Sequence, residues 1–443
     1  MVAGGDFTVT VSKKEVVAAV LPLQDHWLPF SNLDLLLPPV DVSVFFCYHN
    51  PSLQSMTFAS MVAILKRALA QTLVSYYALA GEVVPNPVGE PELLCNNRGV
   101  DFVEAFANVE LSELNLYNPD ESIEGKLVPN KKNGVLSIQV TYPDAYSINI
   151  FLVSWAELAQ SRPISLLPSF RRSLLNPRRL GCVDPALGDM YVPFSPPPTP
   201  KEAVEATHDH LISRIYYVTK DQLNELQSLA SPKGCRRTKL ESFSAFLWKM
   251  VAQCGATDND KTSKMGIVVD GRIRLSQVDS YKSRLMDAYF GNVLSIPFGG
   301  QKIIQLMEKP LSSVANQVHA FLENAVTQDH FLGLIDWVEA HRPQPAVAKI
   351  YINGSDNGPA FVASSGQRFP VSKVDFGWGK PAFGSYHFPW GGDAGYVMPM
   401  PSPLGNGDWV VYLHLLKKQI EMIEKEASDV FRPLTSDYLN LMK

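Results

Sequence analysis

Residues 191–210 read YVPFSPPPTPKEAVEATHDH, and Pro193, Pro196, Pro197, Pro198 and Pro200 exclude regular structure from most of that stretch. Each proline fixes its own φ, lacks the amide proton that a helix or inner strand uses, and pushes the preceding residue towards an extended conformation. A run of them is a stiff spacer. The chain on either side is long enough to bury a core of its own, and LISRIYYVTKDQLNELQSLA restarts the strand-then-helix pattern already present near the beginning. We therefore expect an N-terminal domain over 1–190, a Pro-rich crossover over 191–210 and a C-terminal domain over 211–443.

Within each part, helical and alternating patterns mix. DFTVTVSKK, VSVFFCYH and GVLSIQVTY alternate as strands, whereas FASMVAILKRALAQTLVSYYALAG has helical spacing and stops on Gly81. ESFSAFLWKMVAQCGA is a second helix, with Thr238 or Ser242 as its cap. DAYFGNVLSIPF places Gly291 and Asn292 in a loop. The fold class is α/β in the broad sense, a mixed α+β chain.

Composition narrows the partners. A formal net charge of −5 supplies no basic field, so nucleic acid and anionic membranes are poor partners and a small organic substrate is expected. The five cysteines are scattered without a C-x-x-C pair, which argues against a disulfide framework or a zinc site and for a reducing, cytoplasmic setting. The beginning of the chain shows no signal-peptide pattern, and no unbroken apolar run has the length of a membrane span.

The most distinctive string is VDFGWGKP. Asp375, Phe376, Gly377, Trp378 and Gly379 describe a tight turn with an aromatic wedge and an anchoring charge, a combination that can be wholly structural. Together with FSNLDLLLP, YYALAGEV, VVDGRIRL, YFGN and MPMPSP, it makes the chain resemble the plant BAHD acyltransferases over nearly its whole length. CNNRGVDF, FRRSLLNPRR and MPMPSP are most similar to the coniferyl alcohol acyltransferase branch of that family.

The resemblance implies two chloramphenicol-acetyltransferase-like domains meeting at a channel. Acyl-CoA would enter as co-substrate from one face and a phenylpropenyl alcohol such as coniferyl alcohol from the other, in a monomer with no bound cofactor or metal. It also implies an H-x-x-x-D segment whose histidine takes the hydroxyl proton, because an alcohol is a weak nucleophile at neutral pH and imidazole titrates in the working range.

Residues 140–158, VTYPDAYSINIFLVSWAEL, depart from that pattern. Family members run from Q-V-T through a C-G-G turn and another strand to H-x-x-x-D, then a helix ending in W-A. Here Gln139-Val140-Thr141 meets Asp144 after only Tyr142 and Pro143, and the position four before Asp144 is Val140. Tyr142 is a poor substitute, since a phenol with a reference pKa of about 10 stays protonated at neutral pH. Among the histidines, His49 and His387 are best placed by sequence to approach a channel. Loss of a general base lowers rates by about 10²–10⁴-fold, and loss of an inner strand predicts a gap or a frayed sheet edge beside residues 135–141. The chain is thus either an impaired acyltransferase or a non-catalytic relative, including a shortened splice or gene-model form.

The remaining site residues are carried over from the family. Asp144 is the remnant of the catalytic segment and would pair with Arg272, an arrangement that usually holds geometry; Asp375 would orient its turn near the channel. Ser43 and Ser364 match acceptor-pocket positions, although ordinary strand polarity explains them equally. Gly366 replaces a tryptophan common in relatives and would open the pocket wall. Arg236, Arg237 and Lys239 form a basic cluster ahead of a helix, able to hold a CoA phosphate or simply to face water.

Overall fold

The computed structural model describes residues 7–441 with the exception of 23, 37–41, 50–55, 129–134, 141–144, 179–183, 194–209, 233, 256–259, 277–279, 353–356 and 390–393. In the N-terminal half, Val9–Val17 pairs antiparallel with Val100–Ala107, which meets Leu136–Ser137 in parallel at the single pair Asp101↔Ser137. Gln139–Val140 folds straight back on Leu136–Ser137. A separate three-stranded sheet contains His26–Pro29, Pro91–Cys95 and Glu82–Pro85.

Two helices share the N-terminal core. Phe58–Ser75, capped by the Thr57 hydroxyl, buries Leu69 and Leu73, and Ala145–Ala159 brings Phe151, Leu152 and Trp155 into the same cluster. By length and composition the first helix would suit a membrane span, contrary to the reading of the sequence. Here its inner face is part of a protein core. It also stops at Ser75 rather than Gly81, because a 3-10 turn over Tyr77–Ala80 follows. Gly81 is required for another reason: a Cβ there would lie 2.4 Å from the Leu94 carbonyl oxygen.

The C-terminal half is built on a seven-stranded sheet in the order Phe298–Lys302, Thr262–Ile267, Asn357–Ala363, Gly395–Pro401, Trp409–Leu416, Leu211–Val218 and Arg432–Pro433. The helix Lys239–Gln253 packs Phe243, Leu247, Trp248 and Val251 into its core. Thr238, not Ser242, is the cap, in a reciprocal box with Glu241 that satisfies two amide donors.

One boundary needs correction. The crossover expected over 191–210 begins as a strand, since Tyr191–Pro193 pairs antiparallel with Ala346–Ala348. A proline at the last residue of a short strand leaves the ladder intact. The rest of the proline-rich segment, 194–209, lies outside the described residues.

The halves exchange segments. Phe383–His387 leaves the C-terminal half to pair antiparallel with Ser43–Cys47, with His387 opposite Ser43. In return, residues 114–123 lie against the C-terminal sheet: Tyr117 O accepts from Ile215 N at 2.9 Å, and Asp120 Oδ2 accepts from Ser213 N at 2.6 Å. Leu116, Ile123, Phe45 and Phe383 then join Ile215, Met398, Val410 and Tyr412 in a core lying between the halves.

The sheet expected to show a gap shows an unladdered seam instead. Gln139–Val140 ends its sheet, and the Ser43–Cys47 ribbon is a separate ladder. The two approach within 8 Å between Cα atoms, less than the roughly 9.6 Å that an intervening strand would need. The walls have closed together without hydrogen-bonding to each other among the described residues.

Candidate active site at the junction of the halves

Arg272 is 2% exposed although it carries a permanent charge. Its position follows from VVDGR: the strand Val269–Asp270 ends, and Arg272 opens the short helix Arg272–Leu275 with its amide on Asp270 Oδ1 at 2.9 Å. Nη1 donates to the same oxygen at 3.2 Å. Nη2 donates to Gly291 O at 2.6 Å, to Ser147 Oγ at 3.2 Å and to Tyr289 O at 3.4 Å. One guanidinium thereby joins the first turn of helix Ala145–Ala159 to the YFGN loop. Ser147 closes the joint by accepting from Gly291 N at 3.2 Å.

Tyr146 supplies the apolar side of this cluster. Its ring lies 4.4 Å from the Arg272 guanidinium and 5.4 Å from that of Arg368, which in turn pairs with Asp270 Oδ2 at 3.5 Å. The phenol donates to Asp287 O at 2.9 Å. Burial pushes its pKa up, against the pull of the two arginines, so Tyr146 is a donor and not a base. Of the expected Asp144–Arg272 pair, Arg272 stands in the site as described; Asp144 and Tyr142 lie outside the described residues. Tyr146, Ser147, Asp270 and Arg368 were missed as site residues. A signal was available for three of them, since Tyr146 and Ser147 lie two and three places after Asp144 and Asp270 two places before Arg272.

The same loop is gripped from the N-terminal half. Asp34 of FSNLD accepts from Asn292 N at 2.6 Å and from Ser31 N at 2.8 Å. Arg172, from FRRSLL, donates to Phe290 O and to the Tyr289 hydroxyl, both at 2.9 Å. Beside Gly291 these residues, with Phe30, Phe170, Leu93 and Val135, line a cavity of about 30 Å³, room for roughly one water. A Cβ at Gly291 would sit 2.6 Å from Arg172 Nη1 and 3.0 Å from the Tyr289 ring, so a larger residue there would have to displace the guanidinium.

The DFGWG turn is a brace on the N-terminal core. Asp375 Oδ1 accepts from Gly377 N at 2.8 Å and Gly379 N at 3.0 Å, and both glycines have φ near +107°, a conformation that suits glycine alone among common residues. Phe376 is buried edge-on against Trp155 at 4.9 Å and Trp378 stacks on Phe376 at 5.7 Å. Gln160 at the end of helix Ala145–Ala159 donates to the Asp375 carbonyl. In this structure the Asp375 carboxylate is occupied by its own turn.

The other expected positions are dispersed. Ser43 faces His387 across the exchanged ribbon. Ser364 is buried, donates its amide to Val397 O at 2.8 Å and bonds the Tyr396 phenol. Gly366 opens no wall: a Cβ there would lie 2.6 Å from Met400 Cγ and 3.0 Å from Met398 Cγ, because methionines of the neighbouring strand fill the space. His49 is exposed. Arg237 is committed to Asn316 Oδ1 at 2.8 Å and Arg236 is exposed, while Lys239 begins its helix.

A hydroxyl–imidazole chain joins Tyr191, Ser295 and His330. Tyr191 OH and Ser295 Oγ are 2.9 Å apart, and Ser295 Oγ is 2.7 Å from His330 Nε2. Burial pushes the His330 pKa down to about 4, against the pull of Asp184. Its unfolded counterpart titrates near 6.5, so between those values the unfolded chain holds the extra proton. Stability should therefore fall by up to about 3 kcal/mol as pH drops from 6.5 to 4. Urea titrations across that window check this, and His330→Gln should flatten the slope attributable to this group.

Comparison with known proteins was consistent in direction. A profile of the Transferase family matches residues 7–430. Tobacco (Nicotiana tabacum) shikimate O-hydroxycinnamoyltransferase is 26% identical over 449 residues, covering 93% of this chain and 97% of its own length. The omega-hydroxypalmitate O-feruloyl transferase of Arabidopsis thaliana is 26% identical, covering 79% and 78%. Among solved structures, vinorine synthase superposes with a TM-score of 0.65 at 19% identity, over 96% of this chain and 98% of that one. TRI101 from F. graminearum, crystallised with ethyl coenzyme A, gives 0.66 at 13% identity over 91% and 98%. At those identities the structural likeness concerns the fold.

Proposed function

The chain belongs to the Transferase family of BAHD acyltransferases, whose members use acyl-CoA as co-substrate, and from that premise we propose that it transfers an acyl group, acetyl in the simplest case, to a phenylpropenyl alcohol such as coniferyl alcohol, at a rate lowered by the missing imidazole. Relatives named for moving hydroxycinnamoyl and feruloyl groups onto shikimate and omega-hydroxypalmitate support acyl transfer to a hydroxyl; the phenylpropenyl alcohol acceptor rests on the subfamily strings in the sequence. The lowered rate rests on one observation. A strand ends at Val140 and a helix begins at Ala145, so the chain between them spans at most about 18 Å, too short for a turn, a strand and a histidine segment. No histidine occurs between His49 and His208.

Arg272, Ser147 and Gly291 are nevertheless assembled, which favours residual transfer over none. Purified protein incubated with acetyl-CoA and coniferyl alcohol should accumulate the ester slowly, at below about 0.1 s⁻¹ against the ordinary 1–10³ s⁻¹. Turnover at ordinary rates would overturn the proposal. A second reading, a non-catalytic family member, is favoured by the unladdered seam beside Val140; it predicts CoA binding by calorimetry with no ester formed.

A further inference from the structure

Residues 288–293 run between two sets of partners that alternate along the backbone. Ala288 O accepts from Ser169 N at 2.7 Å, Phe290 N donates to Ser169 O at 2.9 Å, Phe290 O accepts from Arg172 Nη1 at 2.9 Å, and Asn292 N donates to Asp34 Oδ1 at 2.6 Å. These even positions are all held by residues of the N-terminal half. The odd positions turn the other way. Tyr289 O and Gly291 O accept from Arg272 Nη2, Val293 O accepts from Gly271 N at 2.8 Å, and Gly291 N donates to Ser147 Oγ at 3.2 Å. A period of two is that of an extended chain bonded along both edges, so a shift imposed at one edge is carried to the other.

Among the N-terminal partners Arg172 has the widest reach. Its Nη1 also donates to the Tyr289 hydroxyl at 2.9 Å, its Nε donates to Pro29 O at 3.1 Å, and Asp34 Oδ2 lies 3.8 Å from Nη1. One planar guanidinium thus ties Phe290 and Tyr289 to two other stretches of the N-terminal half, a set of acceptors that a single ammonium cannot reach together. The side chain is only 15% exposed, so little water is at hand to replace it.

We propose that Arg172 is a positioning residue of the residual transfer: by holding Phe290 it fixes Gly291, and through Gly291 it sets the Arg272 guanidinium and Ser147 at the first turn of helix Ala145–Ala159. This rests on the proposed transferase reading. Arg172 acts only through the backbone of residues 289–291. Without it, Phe290 O and Pro29 O lose a donor and Asp34 loses its ion pair, while Ser169 and Asp34 still tether the segment. The segment is then free to settle away from Arg272, and a misplacement of about 1 Å costs about 10²-fold in rate.

The experiment compares wild type, Arg172→Met, Arg172→Lys, Ser147→Ala, the double variant Arg172→Met/Ser147→Ala and Arg178→Met, using acetyl-CoA and coniferyl alcohol, with thermal melting, CoA calorimetry and amide hydrogen exchange on each. Arg178→Met controls for a general loosening of the halves, since Arg178 Nε donates to Asp336 Oδ2 at 2.7 Å on helix Gln328–His341 and makes no hydrogen bond to residues 288–293 among the described residues. Arg172→Met should lose about 10²-fold in kcat with CoA affinity kept, and its Gly291 and Asn292 amides should exchange faster. Arg172→Lys keeps the charge beside Asp34, covers the case in which the methionine variant does not fold, and should still lose about 10-fold. Arg178→Met should melt lower with kcat and both amides near wild type. The double variant should lose less than the product of the two single losses, a coupling that a role independent of Gly291 would not give. Wild-type kcat in the Arg172 variants, or an equal loss in Arg178→Met, overturns the positioning role and leaves the transferase reading standing. Wild type that binds CoA and forms no ester overturns both.

Discussion

Replacing Arg272 by methionine should lower folding stability by about 3–5 kcal/mol, the usual consequence of removing one partner from a buried charged network. The packing volume is nearly kept, so the loss comes from what the guanidinium leaves behind. Gly291 O and Tyr289 O lose a buried donor, Ser147 loses one of its two donors, and Asp270 keeps only part of its compensation. Native chains hold about 5–15 kcal/mol in total, so much of the margin goes. Arg272→Lys should recover little, because a single ammonium cannot reach a carboxylate on one side and two carbonyls on the other. Urea denaturation measures the effect, and a midpoint equal to wild type would show that the halves are joined by other means.

Inserting a turn, a strand and a His-x-x-x segment between Pro143 and Asp144 should raise acyl transfer by about 10²–10⁴-fold, the span that a positioned general base contributes. The same insertion with glutamine in place of histidine separates the two defects. It should ladder the seam between Gln139–Val140 and Ser43–Cys47 and raise the melting temperature, yet leave the rate near that of the unmodified chain. If both insertions raise the rate equally, the shortfall is one of sheet geometry and not of a base. If neither does, the site needs more than the missing segment.

Much of the architecture could be read directly. The capping signal at Thr238 and the helical spacing that begins at Phe58 place real helices. Arg272 was marked by the family resemblance of VVDGRIRL, as a partner for Asp144, which lies outside the described residues. What escaped the reading involved neighbours remote in sequence. Gly366 looked like an opening because its side chain is a hydrogen atom, but Met398 and Met400 belong to a strand about thirty residues later. The missing strand predicted a gap, and closure of the walls depends on how the flanking ribbon settles. Gly81 read as a helix stop because glycine commonly ends helices; the carbonyl of Leu94 sets its real constraint.

The sequence by itself determined the family, the absence of any histidine between His49 and His208 and the length of chain available between Val140 and Ala145, since motif identity and covalent reach need no folding to be known. Only the tertiary structure decided that the halves exchange segments, that Arg272 binds a helix turn and a loop at once, and that His387 faces Glu124. Such pairings join positions as far apart as Ser43 and His387, and burial, which gives each of them its strength by excluding water, exists only once the chain is packed.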